Sequence, residues 1–159
     1  MGDMPMPQRT AEHDKLNFMV GEWKTREVFP PGPMAPQGGT GEGTTTIKWK
    51  VGSMVLTNDY RSKGFMGQAF EGFGLYSYDP MKKEYLNYWF DTMASAGMVS
   101  RGRFEGTDLI FLGENETPGG KMKFRMVTHP VSKDEFTFTI HMDIGGKMTL
   151  MMTVTHVRG

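Results

Sequence analysis

Phe18-Met19-Val20-Gly21-Glu22-Trp23 is the stretch on which the fold turns. It separates a short helical signal from a long succession of strand patterns. The glycine permits a tight turn into the first strand. The tryptophan then supplies a large apolar ring whose N–H needs a partner once buried. A ring in that position plugs one end of a β-structure that closes on itself.

Upstream, Thr10 is placed to cap a helix of about two turns that opens with Ala11, Glu12 and His13. Leu16, Met19 and Val20 fall at i, i+3 and i+4 and share one buried face. This helix is expected to lie across one end of a barrel. Residues 1–9, polar and proline-rich, read as a disordered lead. Residues 10–159 then form a single domain.

Downstream, residues 22–29 read as the first strand, ended by Pro30-Pro31-Gly32-Pro33. The irregular segment runs to about Gly41, and a loop of that length reads as a lid or as disorder. Beyond it the period is two, with Ile47, Trp49 and Val51 alternating with Thr46, Lys48 and Lys50. Further strands read over 54–62, 69–78, 83–91, 98–105 and 109–113, with a turn from Glu116. Three clear alternations end the chain, led by Met122-x-Phe124-x-Met126, Phe136-x-Phe138-x-Ile140 and Met148-x-Leu150-x-Met152-x-Val154. Roughly ten short strands without interleaved helices make an antiparallel sandwich or barrel. Closure removes the edges a sheet of this size would otherwise expose. The expected fold is all-β: a single closed antiparallel barrel of roughly ten strands, lipocalin-like, capped by the N-terminal helix.

Composition narrows the function. Lys+Arg and Asp+Glu are both 18 among 159 residues, so the formal charge is zero. Such a balance gives no electrostatic case for nucleic acid or an anionic membrane. The apolar runs are too short for a membrane span, and residues 1–7 lack the pattern of a secretory signal. The protein is expected to be cytoplasmic by default. The cysteine count of 0 excludes a disulfide scaffold, a thiolate metal site and a cysteine nucleophile. The 16 methionines fill either a core or an adaptable binding surface.

Several segments carry a family likeness. They are His13-Asp14-Lys15-Leu16 running into Val20-Gly21-Glu22-Trp23, the Pro/Gly/Met-rich loop 30–41, Gly41-x-Gly43-Thr44, Gly74-x-Tyr76-x-Tyr78-Asp79-Pro80, and the ending Met152-Thr153-Val154-Thr155-His156-Val157-Arg158. Over about nine tenths of its length the chain resembles a bacterial family known as domain of unknown function 1579. The resemblance implies a lipocalin-like barrel and no characterised activity. It also implies kinship of fold with haem-binding nitrobindin-like and fatty-acid-binding-like barrels, which does not fix function.

No cofactor or metal is expected. His13, His129, His141 and His156 have no short metal-ligand spacing. His156 is in phase with Val154 and reads as a hydrogen-bonded residue at a barrel end, whereas His141 reads as facing water. The resemblance to haem-binding barrels would place an axial histidine mid-strand near the C-terminus, and no histidine stands at the equivalent position. There is no Gly-x-Ser-x-Gly, and the glycines at 38–43 precede a strand rather than a helix.

The aromatic strand is more informative. Tyr85, Asn87, Trp89 and Asp91 share one face, and Leu86, Tyr88 and Phe90 the other. Rings mixed with an amide and a carboxylate suit a small-ligand pocket. Asn58 and Tyr60, in phase with Met54 and Leu56, add polar anchors. Arg101 and Arg103 read as exterior, because unpaired inward charge is costly. The expected ligand-binding set is Trp49, Met54, Asn58, Tyr60, Tyr85, Asn87, Trp89, Met98, Met126 and Phe138. Loop 30–41 would gate the mouth. The resemblance to lipocalin-like barrels implies that Arg158 stacks on Trp23, latching the first strand to the last. The function expected is binding of a small hydrophobic or amphipathic molecule. One alternative is an isomerase or lyase using Asp91 or Asp59. The other is a solid-cored assembly module, dimeric through Tyr88 and Phe90.

Overall fold

The computed structural model describes residues 2–33, 35–65 and 67–159. Ten antiparallel strands close into a barrel. They are β1 (Gly21–Phe29), β2 (Gly39–Lys50), β3 (Val55–Phe65), β4 (Gln68–Asp79) and β5 (Glu84–Asp91), followed by β6 (Ala94–Glu105), β7 (Asp108–Thr117), β8 (Gly120–Ser132), β9 (Glu135–Ile144) and β10 (Lys147–Arg158). Each strand pairs with its neighbours in sequence, and β1 closes against β10. Every described strand therefore has partners on both sides, so no ladder of unpaired backbone groups is left exposed.

The strands outrun their hydrophobic patterns, because pairing continues while a partner lies opposite. β2 begins at Gly39, paired with Phe29. β7 runs on to Thr117, paired with Gly120, through residues expected to turn. Val51, expected in a strand, instead opens a turn in which Val51, Gly52 and Ser53 all have positive φ (53°, 62° and 62°). In β10 the register shifts between Leu150 and Met152. Such a bulge sets two residues against one and inverts the phase beyond it. Met148 and Leu150, expected inward, are thereby 42% and 38% exposed, while Met151 is buried.

The end formed by the strand 1 start and the strand 10 finish is plugged. A single turn, α1 (Ala11–Asp14), runs into a 3₁₀ turn (Lys15–Met19). Its Leu16 and Met19 pack on Trp23, Ile47 and Tyr85. His13 fills the role usually played by a glutamate in a capping box, accepting from the Thr10 N–H at 3.1 Å. Burial, the leading cause, lowers the His13 pKa, which keeps that lone pair available. Three side chains tie the plug to the barrel. Trp23 Nε1 donates to the Met19 carbonyl at 2.8 Å, the Tyr85 hydroxyl to the Glu12 carbonyl at 2.6 Å, and Trp49 Nε1 to Asn17 at 2.8 Å. Arg9 stacks on Trp49 with its Cζ 4.0 Å from the ring centroid, so the lead is docked from that residue onward.

Arg158 lies 4.2 Å from the Trp23 ring centroid and donates to the Val20 and Lys133 carbonyls at 2.9 Å each. Gly21 takes φ 139°, and a Cβ there would run into the Arg158 guanidinium. The Gly-x-Trp signature thus has two causes, a backbone angle and the space an arginine needs. The opposite end of the barrel carries the loops that follow β1, β3, β5, β7 and β9. Among the described residues no helix is long and apolar enough to cross a membrane.

Candidate functional site

A cavity of about 360 Å³ occupies the barrel interior, reaching from Met19 beneath the plug to Met93 in the turn after β5. Its walls are mostly apolar, with Phe70, Met126, Phe138, Met151, Met152 and Val154 prominent. One wall depends on missing side chains. Gly72 and Gly74 on β4 face the Trp89 indole so closely that a Cβ on either would enter the ring. Trp89 is held flat on this shelf by its Nε1, which donates to Asp91 Oδ2 at 2.8 Å. Tyr60 meets Trp89 and Phe70 edge-on, with centroids 6.4 and 6.0 Å apart.

Polar groups interrupt this surface at a few points, as in sites that orient a ligand. Asn58 accepts from Thr45 and contacts the Tyr76 hydroxyl, whose pKa burial pushes up to about 12. Asn87 and Thr128 also line the cavity and are buried. Asp91 at the rim is already engaged, since its Oδ1 accepts from the Met93 N–H at 2.7 Å.

Behind Tyr60 lies a carboxylate that sequence reasoning missed. Glu27 is 0% exposed. Its Oε1 accepts from the Tyr60 hydroxyl, and Thr25 Oγ1 sits 3.3 Å from the Tyr60 oxygen. Burial and the adjacent Glu27 raise the Tyr60 pKa far above its ordinary value. Glu27 Oε2 has no hydrogen-bond partner. Room for this group comes from β2, where a Cβ on Gly41 would stand 2.8 Å from Oε2 and one on Gly43 would stand 2.9 Å from Thr25 Oγ1. The signal was present in the alternation Trp23, Thr25, Glu27, Phe29, a single phase that begins with the plug tryptophan and ends on an apolar ring.

His156 also lines the cavity. Its ring stacks on Phe136 at 4.0 Å and 13°, and the residue is 4% exposed. The backbone of Val154 and Phe136 lies within hydrogen-bonding range of the ring, as expected of a barrel-end histidine, while Nδ1 has no well-aligned partner. Burial drives its pKa down to about 4, against a smaller upward pull from the Val154 and Phe136 backbone. The ring is therefore neutral at neutral pH.

Of the residues expected to bind, Asn58, Tyr60, Asn87, Trp89, Met98, Met126 and Phe138 converge on the cavity. Trp49, Met54 and Tyr85 do not line it. Trp49 and Tyr85 are engaged by the helical plug, which fills the end of the barrel they face, and Met54 falls in the turn before β3. Asp59 is exposed on the outer surface, and Arg101 is outside, paired with Glu84 at 2.9 Å. Met34, within the loop expected to gate the mouth, lies outside the described residues.

The sequence profile of DUF1579, a protein of unknown function, matches residues 8–158. The chain belongs to this family. No curated protein matches it. Among solved structures, the DUF1579 barrel is similar to Rv2717c from M. tuberculosis, with TM-score 0.65 and 11% identity, covering 96% of this chain and 99% of that one. It is also similar to a de novo designed fluorescence-activating β-barrel (TM-score 0.52, 11% identity, 92% and 98% covered). A third is a redesigned β-barrel, mFAP0, bound to DFHBI (TM-score 0.50, 12% identity, 89% and 99% covered). At these identities the likeness is one of fold alone.

Proposed function

We propose that this DUF1579 barrel binds a small, mostly apolar molecule in its interior. The cavity carries the reading: about 360 Å³ of space walled by methionine, phenylalanine and a shelved tryptophan, with Asn58, Asn87 and Thr128 at separate points. That volume falls within the range of sites for small organic ligands. Methionine walls adapt to irregular shapes, which suits a binding surface better than a uniquely packed core. The redesigned β-barrel mFAP0, of similar fold, is bound to DFHBI, which supports small-molecule binding by a barrel of this architecture. In this reading Trp89 supplies the main apolar contact, and Asn58 and Asn87 set the ligand's orientation. The loop after β1 gates the mouth.

Native mass spectrometry of the protein purified from its own host tests the reading. A retained small molecule is expected, together with a ligand-dependent rise in melting temperature that Trp89→Ala removes while the barrel stays folded. An unliganded mass, or a Trp89→Ala protein that keeps the full ligand-dependent shift, would count against it.

The outer face of the same strands supports a second, compatible reading. Phe73, Phe90 and Val99 are 44%, 49% and 55% exposed, and Phe73 pairs directly with Phe90. Such a stripe favours self-association through this face. Sedimentation of wild type and Phe90→Ser over a range of concentrations tests it, with a weaker dimer expected for the variant.

A further inference from the structure

Resting on the binding reading above, we infer that the ligand is an apolar cation: a molecule with a hydrocarbon body and a protonated amine head, seated toward Tyr60, Glu27 and His156. Neither lysine nor arginine is among the side chains lining the cavity, whereas Asp91 is. Glu27, fully buried directly behind Tyr60, has no ion-pair partner among the described residues. A cation brought near a buried carboxyl group stabilises its ionised form, and the attraction acts over several ångströms in a low-dielectric interior. The interior is thus biased toward positive charge and against the carboxylate head of a fatty acid.

Glu27 Oε2 and His156 Nδ1 are both buried and unpartnered. They belong to one cluster. Thr25 is registered opposite His156, Glu27 opposite Val154, and Thr25 Oγ1 lies 3.3 Å from the Tyr60 oxygen. Glu27 and His156 are therefore diagonal neighbours, about 7–8 Å apart at the backbone, with His156 on the cavity wall and Glu27 one layer behind it. Neutral His156 offers a lone pair at one ring nitrogen and an N–H at the other. The Tyr60 hydroxyl donates to Glu27, and its oxygen accepts from Thr25 Oγ1 at 3.3 Å. An ammonium has three donors and no acceptor, which suits an interior whose nearest ionisable acids, Asp91 and Glu27, have no ion-pair partner among the described residues. Tyr60 and Trp89 add aromatic walls that attract a cation.

The experiment is calorimetric titration of the full chain with octylammonium, octanol and octanoate below their micelle concentrations. The amine is expected to bind at least tenfold more tightly than the carboxylate, with the alcohol between. In Glu27→Gln, a near-isosteric change, that amine-to-carboxylate ratio is expected to fall below threefold. Thermal melting and far-UV circular dichroism confirm the fold of the variant. The wild-type ratio stands as a test on its own if the variant proves unstable. Octanoate binding as tightly as octylammonium would overturn the cation inference and leave the binding reading intact. So would a Glu27→Gln protein that keeps the full ratio. Failure of all three probes to bind would overturn both.

Discussion

His156 and Glu27 show how an interior position changes the chemistry of an ordinary residue. With a folded-state pKa near 4 against 6.5 for free histidine, His156 strongly favours its neutral form in the barrel. The folded state then binds fewer protons than the unfolded one between these values, so stability falls as pH falls. This contribution is fully present above pH 6.5 and is lost progressively down to pH 4, amounting to about 3 kcal/mol at most. Denaturant unfolding of wild type and His156→Gln from pH 7.5 to 4 measures it. The variant is expected to lose distinctly less stability over that interval, and parallel curves would remove the assignment. His156 was legible from the alternation of β10, because Val154 and Met152 precede it in phase. Its unpartnered nitrogen was not legible, since partnership depends on what β1 and β9 bring across the barrel. Glu27 was hidden for a different reason. A glutamate between arginine and valine reads as solvent-facing unless phase is followed strictly, and only the glycines on β2 explain how it fits.

At the scale of elements, glycine and bulge positions determine where the large rings go. The Gly74-x-Tyr76 signature makes sense once the Trp89 indole is seen resting on Gly72 and Gly74. A Cβ on Gly74 would lie 2.5 Å from Trp89 Cε3 and 3.0 Å from the Tyr88 carbonyl oxygen. Gly74→Ala is expected to destabilise the barrel by about 1–3 kcal/mol through overpacking, and to shift tryptophan emission as the ring tilts. Equilibrium unfolding followed by fluorescence checks both effects. The plug makes a separate prediction. Tyr85→Phe removes the hydroxyl that reaches the Glu12 carbonyl, at a cost of about 0.5–1.5 kcal/mol. Faster amide exchange should be confined to residues 11–19, where the plug loosens. The sequence marked Tyr85 and Trp49 as inward, correctly as to face. What it could not supply was depth along the strand, which decides whether an inward ring meets the plug or the cavity. Alternation likewise could not reveal the bulge at Met151, because a single extra residue leaves the hydrophobic composition unchanged while inverting the phase.

For the whole molecule, closure, plug and cavity follow from one another. Ten strands wound as a meander enclose more space than their own side chains fill, and the helix seals only one end. The methionines then divide by position. Met98, Met126, Met142, Met151 and Met152 line the cavity, whereas Met4, Met6, Met81 and Met148 are exposed. The strand count and the helical plug were legible because short alternating runs without helices leave few alternatives to a closed sheet. The identity of the cavity walls was legible only in part, since a one-residue slip exchanges inner and outer faces. This division of methionines offers the most direct test that the interior binds. Protein labelled with ¹³C at the methionine methyls is titrated with octanol and followed by two-dimensional NMR. Shifts are expected to concentrate on Met98, Met126, Met142, Met151 and Met152, with Met4, Met6, Met81 and Met148 unmoved. Unchanged cavity methyls at saturating octanol, or shifts confined to the exposed methionines, would contradict it.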